Sequence, residues 1–257
     1  MRFVTRTLPL IAVVLAAAAP VQAQQAPRAT AYSQVTQWPD WTGVWSPGVG
    51  SGSRTTATPP VLTPAGKAIK DAFDAGKAEG RNLQTPQASC IPNGMPGVMR
   101  TPYPFEFLYS PVRVTILIET HSQIRRIYVD GQLPEDPDPA YQGHSVGHWE
   151  GDTLVVDTIA LSPSVFLIAD TGLHATEQSR LRERFTRNGD QLVDEITVAD
   201  PTLLAEPYVM VQTYTIQPDW QMREYVCQEN NRDSVDEEGR PSMELGDPDA
   251  PFAGLDD

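Results

Sequence analysis

Between Tyr141 and Leu161 the chain reads YQGHSVGHWEGDTLVVDTIAL, which is the pattern of a β-hairpin. An approach strand leads to a tight turn at Glu150-Gly151-Asp152, and a strongly apolar strand follows. Similar pairs recur along the chain, giving about ten strands, without the spacing of parallel β-α-β units. The sequence therefore predicts an all-β fold, either an antiparallel barrel or a sandwich, and we expect the barrel.

The other predicted strands are short segments that alternate apolar and polar residues and are bounded by turn residues. They are Phe105–Tyr109, Val112–Glu119, Ile124–Val129, Leu181–Thr186, Gln191–Val198, Tyr208–Gln217 and Gln221–Gln228. One accessory helix is predicted over about residues 63–79, since Thr63 caps it, Pro64 occupies its first position and Gly80 follows its end. We expect residues 24–232 to form one domain.

The first residues have the pattern of a secretory signal. Arg2 and Arg6 precede an apolar run from Leu8 to Ala19, and Val21-Gln22-Ala23 is a small-x-small cleavage site. The run is about twelve residues long, and a membrane span needs about twenty. We expect cleavage after Ala23 and a periplasmic or secreted protein with no membrane span.

The charge of the chain narrows the class of partner. The formal net charge is −14, and loss of Arg2 and Arg6 with the signal takes it to −16. Such a surface repels phosphate backbones and anionic lipids, so nucleic acid and membranes are poor partners. Residues 233–257 are strongly acidic and are predicted to form a disordered tail.

The chain contains two cysteines, Cys90 and Cys227. In an exported protein an even number of cysteines favours a disulfide, and two buried thiols are the alternative. A bridge would close 227 − 90 = 137 residues and stabilise the fold by up to roughly 4–5 kcal/mol on the chain-entropy model.

Several sequence patterns resemble a family of exported bacterial proteins that is abundant in sphingomonads and acidobacteria. The strongest is GHSVGHWEGDTLVVDT at 143–158, and the other matching segments are Cys90–Pro96, Pro104–Phe107, Ile127–Gly131, Gly172–Glu177 and Glu224–Asn230. The resemblance implies export and brings no catalytic set with it. Gly43-x-Trp45, at the start of a β-rich chain, also resembles the entry strand of lipocalin-like barrels, so we expect a calycin-like barrel.

The histidines are the first candidates for chemistry. His144, His148, Glu150 and Asp152 share one strand face, but strand spacing puts His144 and His148 roughly 13 Å apart, too far to hold one metal ion. We predict no metal. Surface or packed histidines are the first interpretation, acid–base use of at least one is the second, and a metal site formed by His121, His144 and His174 from separate segments is the third.

The predicted catalytic set combines a histidine, a carboxylate that orients it and an arginine that stabilises negative charge. Its members are His174, His144, Glu119, Asp170, Glu177 and Arg126. A barrel cavity is predicted to bind a small apolar or aromatic molecule through the residues Phe105, Phe107, Tyr128, Trp149 and His148.

Nucleotide-binding and nucleophile motifs are absent from the sequence, so we predict no cofactor. Three functions remain open. The first is a cofactor-independent lyase, isomerase or hydratase, and the second is a non-catalytic periplasmic binder of a hydrophobic small molecule. The third is an envelope interaction module, which the acidic tail favours.

Overall fold

The computed structural model describes residues 32–47, 54–80, 90–227, 233–235 and 241–243. The helices are α1 (Tyr32–Val35) and α2 (Pro64–Ala78). The strands are β1 (Val44–Ser46), β2 (Arg54–Ala57), β3 (Phe105–Ser110), β4 (Arg113–Ile118), β5 (Gln123–Val129), β6 (His144–Glu150), β7 (Thr153–Ile159), β8 (Phe166–Ile168), β9 (Leu173–His174), β10 (Arg180–Asn188), β11 (Gln191–Ala199), β12 (Tyr208–Gln217), β13 (Asp233–Val235) and β14 (Pro241–Met243).

Nine strands close into a barrel in the order β1-β3-β4-β5-β6-β7-β10-β11-β12, and β12 returns to β1. The hairpins follow the turn residues of the sequence, with Gly151 and Gly189 at positive φ in the β6–β7 and β10–β11 turns. The predicted all-β barrel with an accessory helix is confirmed. Its strands are antiparallel with one exception, because β5 and β6 run parallel.

The parallel pair determines the path of the chain between β5 and β6. Parallel neighbours cannot be joined by a tight turn, since the chain must return to the starting edge of the sheet before the second strand begins. Residues 130–143 make this return and contain no strand or helix. This crossover segment lies on the outside of the barrel.

The last predicted hairpin is wrong. Tyr208–Gln217 forms β12 as predicted, but residues 221–226, all described, form no strand. The strand edges of β12 are already occupied, since β11 pairs on one side and β1 and β2 pair on the other. The segment runs instead to Cys227, which forms the predicted disulfide with Cys90.

Helix α2 begins and ends as the sequence predicts. The Thr63 hydroxyl accepts a hydrogen bond from the Gly66 amide at 3.1 Å, and Gly80 has φ +77° just beyond the helix. Ile69 of this helix is 40% exposed and does not pack on the barrel. The helix instead packs closely through Gly66, where an added Cβ would come within 2.2 Å of the Leu203 carbonyl oxygen.

Large side chains fill the barrel. Trp41 packs against Phe107, Trp149 and Phe185, with ring centroids 4.9–6.4 Å apart, near the β6–β7 turn. Near the start of β6 the 93–100 segment supplies further core residues that include Met99, whose carbonyl accepts from the Tyr214 hydroxyl at 2.6 Å. The core therefore extends along the length of β6.

The two ends of the chain are described in part. The predicted signal at residues 1–23 lies outside the described residues. Within the acidic tail, β13 and β14 form a short antiparallel pair, which the prediction of a disordered tail did not include. None of the helices in the described ranges is long and apolar enough to cross a bilayer.

Candidate functional site

The middle of the barrel holds a buried ion pair. Arg125 on β5 and Glu183 on β10 are both fully buried, and the guanidinium donates two hydrogen bonds to the carboxylate, Nη1 to Oε1 at 2.7 Å and Nη2 to Oε2. Nη2 also donates to Thr158 Oγ1 at 3.1 Å and to Ser145 Oγ at 3.4 Å. The network thus joins β5, β6, β7 and β10 across the interior.

Asp194 on β11 lies fully buried beside this network. Neither of its carboxyl oxygens has a hydrogen-bond partner in the described part of the chain. Burial raises the pKa of Asp194 well above its usual range, the Glu183 carboxylate raises it further, and Arg125 opposes the shift. A neutral Asp194 leaves Arg125 balanced by one carboxylate, that of Glu183.

The barrel interior does not assemble the predicted ligand cavity. Phe105 and Phe107 are buried in the filled core, and Trp149 packs on Trp41. Tyr128 faces the opposite side of the sheet and is 48% exposed. The reason is strand alternation, since inward Arg125 and Ile127 on β5 turn Arg126 and Tyr128 outward.

An outer cleft of about 670 Å³ lies where the crossover segment passes over β5 and β6. We call it the crossover cleft. It is lined by residues of β5, β6 and the crossover segment together with Val112 from the β3–β4 turn: Val112, Ile124, Arg126, Tyr128, Val129, Gly131, Gln132, Pro134, Ala140, Tyr141, Gln142, Gly143, His144, Ser145 and Val146. The volume is in the range of small-molecule sites.

Backbone hydrogen bonds hold the crossover segment in place at both ends. The Asp130 amide donates to the Gly147 carbonyl at 2.8 Å, and the Ala140 amide donates to the Ala160 carbonyl at 3.0 Å. The Tyr141 carbonyl accepts from the Met95 amide at 2.9 Å. Because these bonds are made within the protein, the cleft exists before any ligand arrives.

Three predicted site residues meet in the crossover cleft: Arg126, Tyr128 and His144. Arg126 and His144 occupy matching positions, each one residue before the Ile127–Ser145 partners of the parallel pair. The described residues offer Arg126 no carboxylate within salt-bridge distance. The cleft therefore combines an unpaired cation, an aromatic ring and an imidazole on otherwise largely apolar walls.

A hydrogen bond determines the tautomer of neutral His144. Its Nε2 lies 2.9 Å from the Asp138 carbonyl oxygen, which can only accept. Nε2 therefore carries the proton in the neutral ring, and Nδ1 has a free lone pair. At that atom His144 accepts a hydrogen bond when neutral and donates one when protonated.

The remaining predicted catalytic residues lie elsewhere. His174 is exposed and stacks on Phe166 with ring centroids 4.1 Å apart, and Glu177 is also exposed. Asp170 pairs with Lys77 at 3.5 Å. Glu119 accepts a hydrogen bond from the Arg223 amide at 2.8 Å in a separate surface pocket.

His148 also lies outside the crossover cleft. It is exposed on the outward face of β6, and its Nε2 is 3.2 Å from Glu150 Oε1. Glu150 in turn accepts from Arg184 at 2.9 Å, and these two partners lower its pKa. The predicted shared face of His144, His148 and Glu150 is present, but it leads away from the cleft.

Sequence reasoning missed two groups of residues. Tyr141 and Gln142 line the crossover cleft from the crossover segment, whose irregular path has no periodic signal. Arg125, Glu183 and Asp194 form the buried network. Strand alternation could have found these three, because each lies at an inward position of its strand, and Glu183 and Asp194 have apolar inward neighbours on both sides.

The described residues contain no group of three or more histidine, cysteine, aspartate or glutamate side chains placed to hold a metal ion. No protein-family model matches the chain, and no curated protein matches it significantly. Among solved structures it is similar to the zebrafish ileal bile acid-binding protein in complex with cholic acid, at 12% sequence identity and a TM-score of 0.30. The match covers 68% of this chain and 98% of that chain.

Proposed function

We propose that this protein is a non-catalytic binder of a small, mainly apolar or aromatic molecule, which it holds in the crossover cleft. The observation that carries the proposal is the meeting of Arg126, Tyr128 and His144 in one preformed cleft of about 670 Å³. Apolar side chains such as Ile124 and Val146 provide burial for the body of the ligand. An acidic or hydrogen-bond-accepting group on the ligand faces Arg126.

The predicted signal sequence supports binding in the periplasm or outside the cell. The net charge of −14 disfavours a polyanionic ligand, while one local cation accommodates a single acidic group.

Acid–base catalysis has less support from the same geometry. His144 has a free Nδ1 in its neutral form, but none of the described residues that line the crossover cleft is an aspartate or glutamate. Glu119, Asp170 and Glu177, the predicted orienting carboxylates, have other neighbours. The crossover cleft thus contains a candidate base, His144, but no carboxylate among its described lining residues to orient it.

Fluorescence titration with 1-anilinonaphthalene-8-sulfonate, an aromatic probe with one negative charge, tests the proposal. We expect saturable binding that Arg126→Gln and Tyr128→Ala each weaken by about five- to tenfold, since each removes one contact. Leu108→Ala is the matched control for Tyr128→Ala, because Leu108 is 47% exposed against 48% and lies outside the lining. Arg184→Gln is the control for the arginine. If the probe binds both cleft variants as tightly as the wild type, the crossover cleft is not the binding site.

A further inference from the structure

A second pocket, of about 240 Å³, lies between helix α2, the 93–102 segment and the 166–170 segment. We call it the cap pocket. Its walls are largely apolar, and its polar side chains are those of Asn93, Arg100, Thr101 and Asp170. The full lining is Phe73, Asn93, Pro96, Gly97, Arg100, Thr101, Pro102, Phe166, Leu167, Ala169 and Asp170. It shares no lining residue with the crossover cleft.

The polar groups of the cap pocket are unevenly paired. Asp170 pairs with Lys77 at 3.5 Å, and the Thr101 hydroxyl donates to the Val98 carbonyl at 2.8 Å. Arg100, in contrast, has a buried Nε without a hydrogen-bond partner, and no carboxylate of the described residues lies within salt-bridge distance of its guanidinium. Because Arg100 lines the pocket without a carboxylate partner, an anion that accepts a charge-assisted hydrogen bond from its guanidinium would be bound favourably.

The walls of the cap pocket are fixed by close packing. Gly172 has φ +72°, and a Cβ added there would come within 2.9 Å of Phe73, so the helix contacts the loop where only glycine fits. Phe166 is backed by the His174 ring at 4.1 Å. Pro96 and Pro102 restrict the backbone of the opposite wall. The pocket therefore needs no rearrangement to accept a flat ring.

We propose that the cap pocket binds a small aromatic carboxylate, with the ring between Phe73 and Phe166 and the carboxylate on Arg100. An apolar cavity of about 150 Å³ holds one benzene ring, so 240 Å³ accommodates a ring with one small substituent. The carboxylate lies on the Arg100 side of the pocket because Asp170 repels it from the other. The cap pocket is independent of the crossover cleft and of the function proposed for it.

Titration by ¹⁹F NMR with 4-fluorobenzoate tests the assignment. We expect a saturable site, separate from any binding of the probe in the crossover cleft, with a dissociation constant in roughly the millimolar range or tighter. Arg100→Gln should weaken binding about tenfold or more, since a charge-assisted hydrogen bond is lost. Arg126→Gln, the matched change in the crossover cleft, should leave it unchanged. The neutral probe 4-fluorobenzamide should bind the wild type about tenfold more weakly than the carboxylate does.

A second variant makes the test independent of Arg100. Ala169 lines the cap pocket and is exposed, so Ala169→Trp should fill the pocket without disturbing the core, and 4-fluorobenzoate binding should be lost while the melting temperature is kept. The assignment is overturned if the wild type shows no saturable binding, or if both variants bind like the wild type. It is also overturned if Arg126→Gln is the variant that loses binding. Retained anilinonaphthalene sulfonate binding by Ala169→Trp separates this result from the fate of the crossover cleft.

Discussion

At the scale of single residues, the Arg125–Glu183 pair is the most consequential contact in the barrel. Arg125→Met leaves the Glu183 carboxylate buried without its partner, and we expect the free energy of unfolding to fall by about 3–5 kcal/mol. Chemical denaturation measures the change. The double substitution Arg125→Met with Glu183→Leu should recover much of the loss, because no charge is then left unpaired.

The matched control lies on the outside of the same strand as Glu183. Arg182 on β10 makes a two-pronged pair with Asp157 at 2.7 and 2.9 Å, in water. Arg182→Met should cost less than about 1 kcal/mol. Equal losses from Arg125→Met and Arg182→Met would contradict the view that burial makes the interior pair indispensable.

Asp194 is expected to make stability depend on pH. The folded protein keeps its proton to a higher pH than the unfolded chain, whose carboxyl titrates near 3.8. The free energy of unfolding therefore falls as the pH rises from about 4 toward the raised pKa of the folded state. Asp194→Asn, which mimics the neutral carboxyl, should flatten this fall.

Denaturation series from about pH 4 to 8 measure the slope for Asp194→Asn against the wild type. Glu135→Gln is the control, because Glu135 is exposed on the crossover segment and is not among the groups that shift the pKa of Asp194. It removes the same ionisable charge. An unchanged slope in Asp194→Asn would show that the buried carboxyl is not held neutral.

At the scale of elements, the crossover segment depends on one glycine. Gly143 has φ +62°, and an added Cβ would lie 2.7 Å from the Ile159 carbonyl oxygen. Gly151 in the β6–β7 turn has φ +60° with open space around it. Gly151→Ala should cost about 1–2 kcal/mol from backbone strain alone, and Gly143→Ala should cost at least ~1 kcal/mol more because of the clash.

Thermal and chemical unfolding of the two glycine variants provide the comparison. Gly143→Ala should also weaken anilinonaphthalene sulfonate binding, since Gly143 lines the crossover cleft. Gly151→Ala should bind the probe normally. Similar costs for the two substitutions would mean that the crossover segment moves away from β7 easily and that the cleft is not preformed.

At the scale of the whole molecule, the Cys90–Cys227 disulfide joins segments 137 residues apart. It ties the 219–227 segment, which pairs with no strand, to Cys90. Cys90 lies just before the 93–100 segment that packs into the core. Replacing both cysteines by serine should lower the free energy of unfolding by up to roughly 4–5 kcal/mol. Denaturant titration of the double variant measures the loss, and a change below about 1 kcal/mol would show that the bridge contributes little beyond the barrel packing.

The sequence alone determined most of the barrel strands, their turns and the accessory helix, but not the path of residues 221–226. Alternation along β5, the Glu150-Gly151-Asp152 turn and the Thr63 cap are local signals, because each depends on backbone conformation and on neighbours a few residues away. The pairing of two cysteines in a chain with a predicted export signal was likewise predictable, since the redox environment decides whether cysteines pair.

Only the tertiary structure decided how strands that are distant in sequence meet. The parallel β5–β6 pair has no local signature, and it alone brings Arg126 beside His144 under the crossover segment. Tyr128 points away from the barrel interior and Arg125 points into it, contrary to the predicted cavity. Both directions follow from which face of β5 the closed barrel turns inward. Which face points inward is decided only when the sheet closes, because closure buries the inward positions and leaves the outward ones facing solvent and the crossover cleft.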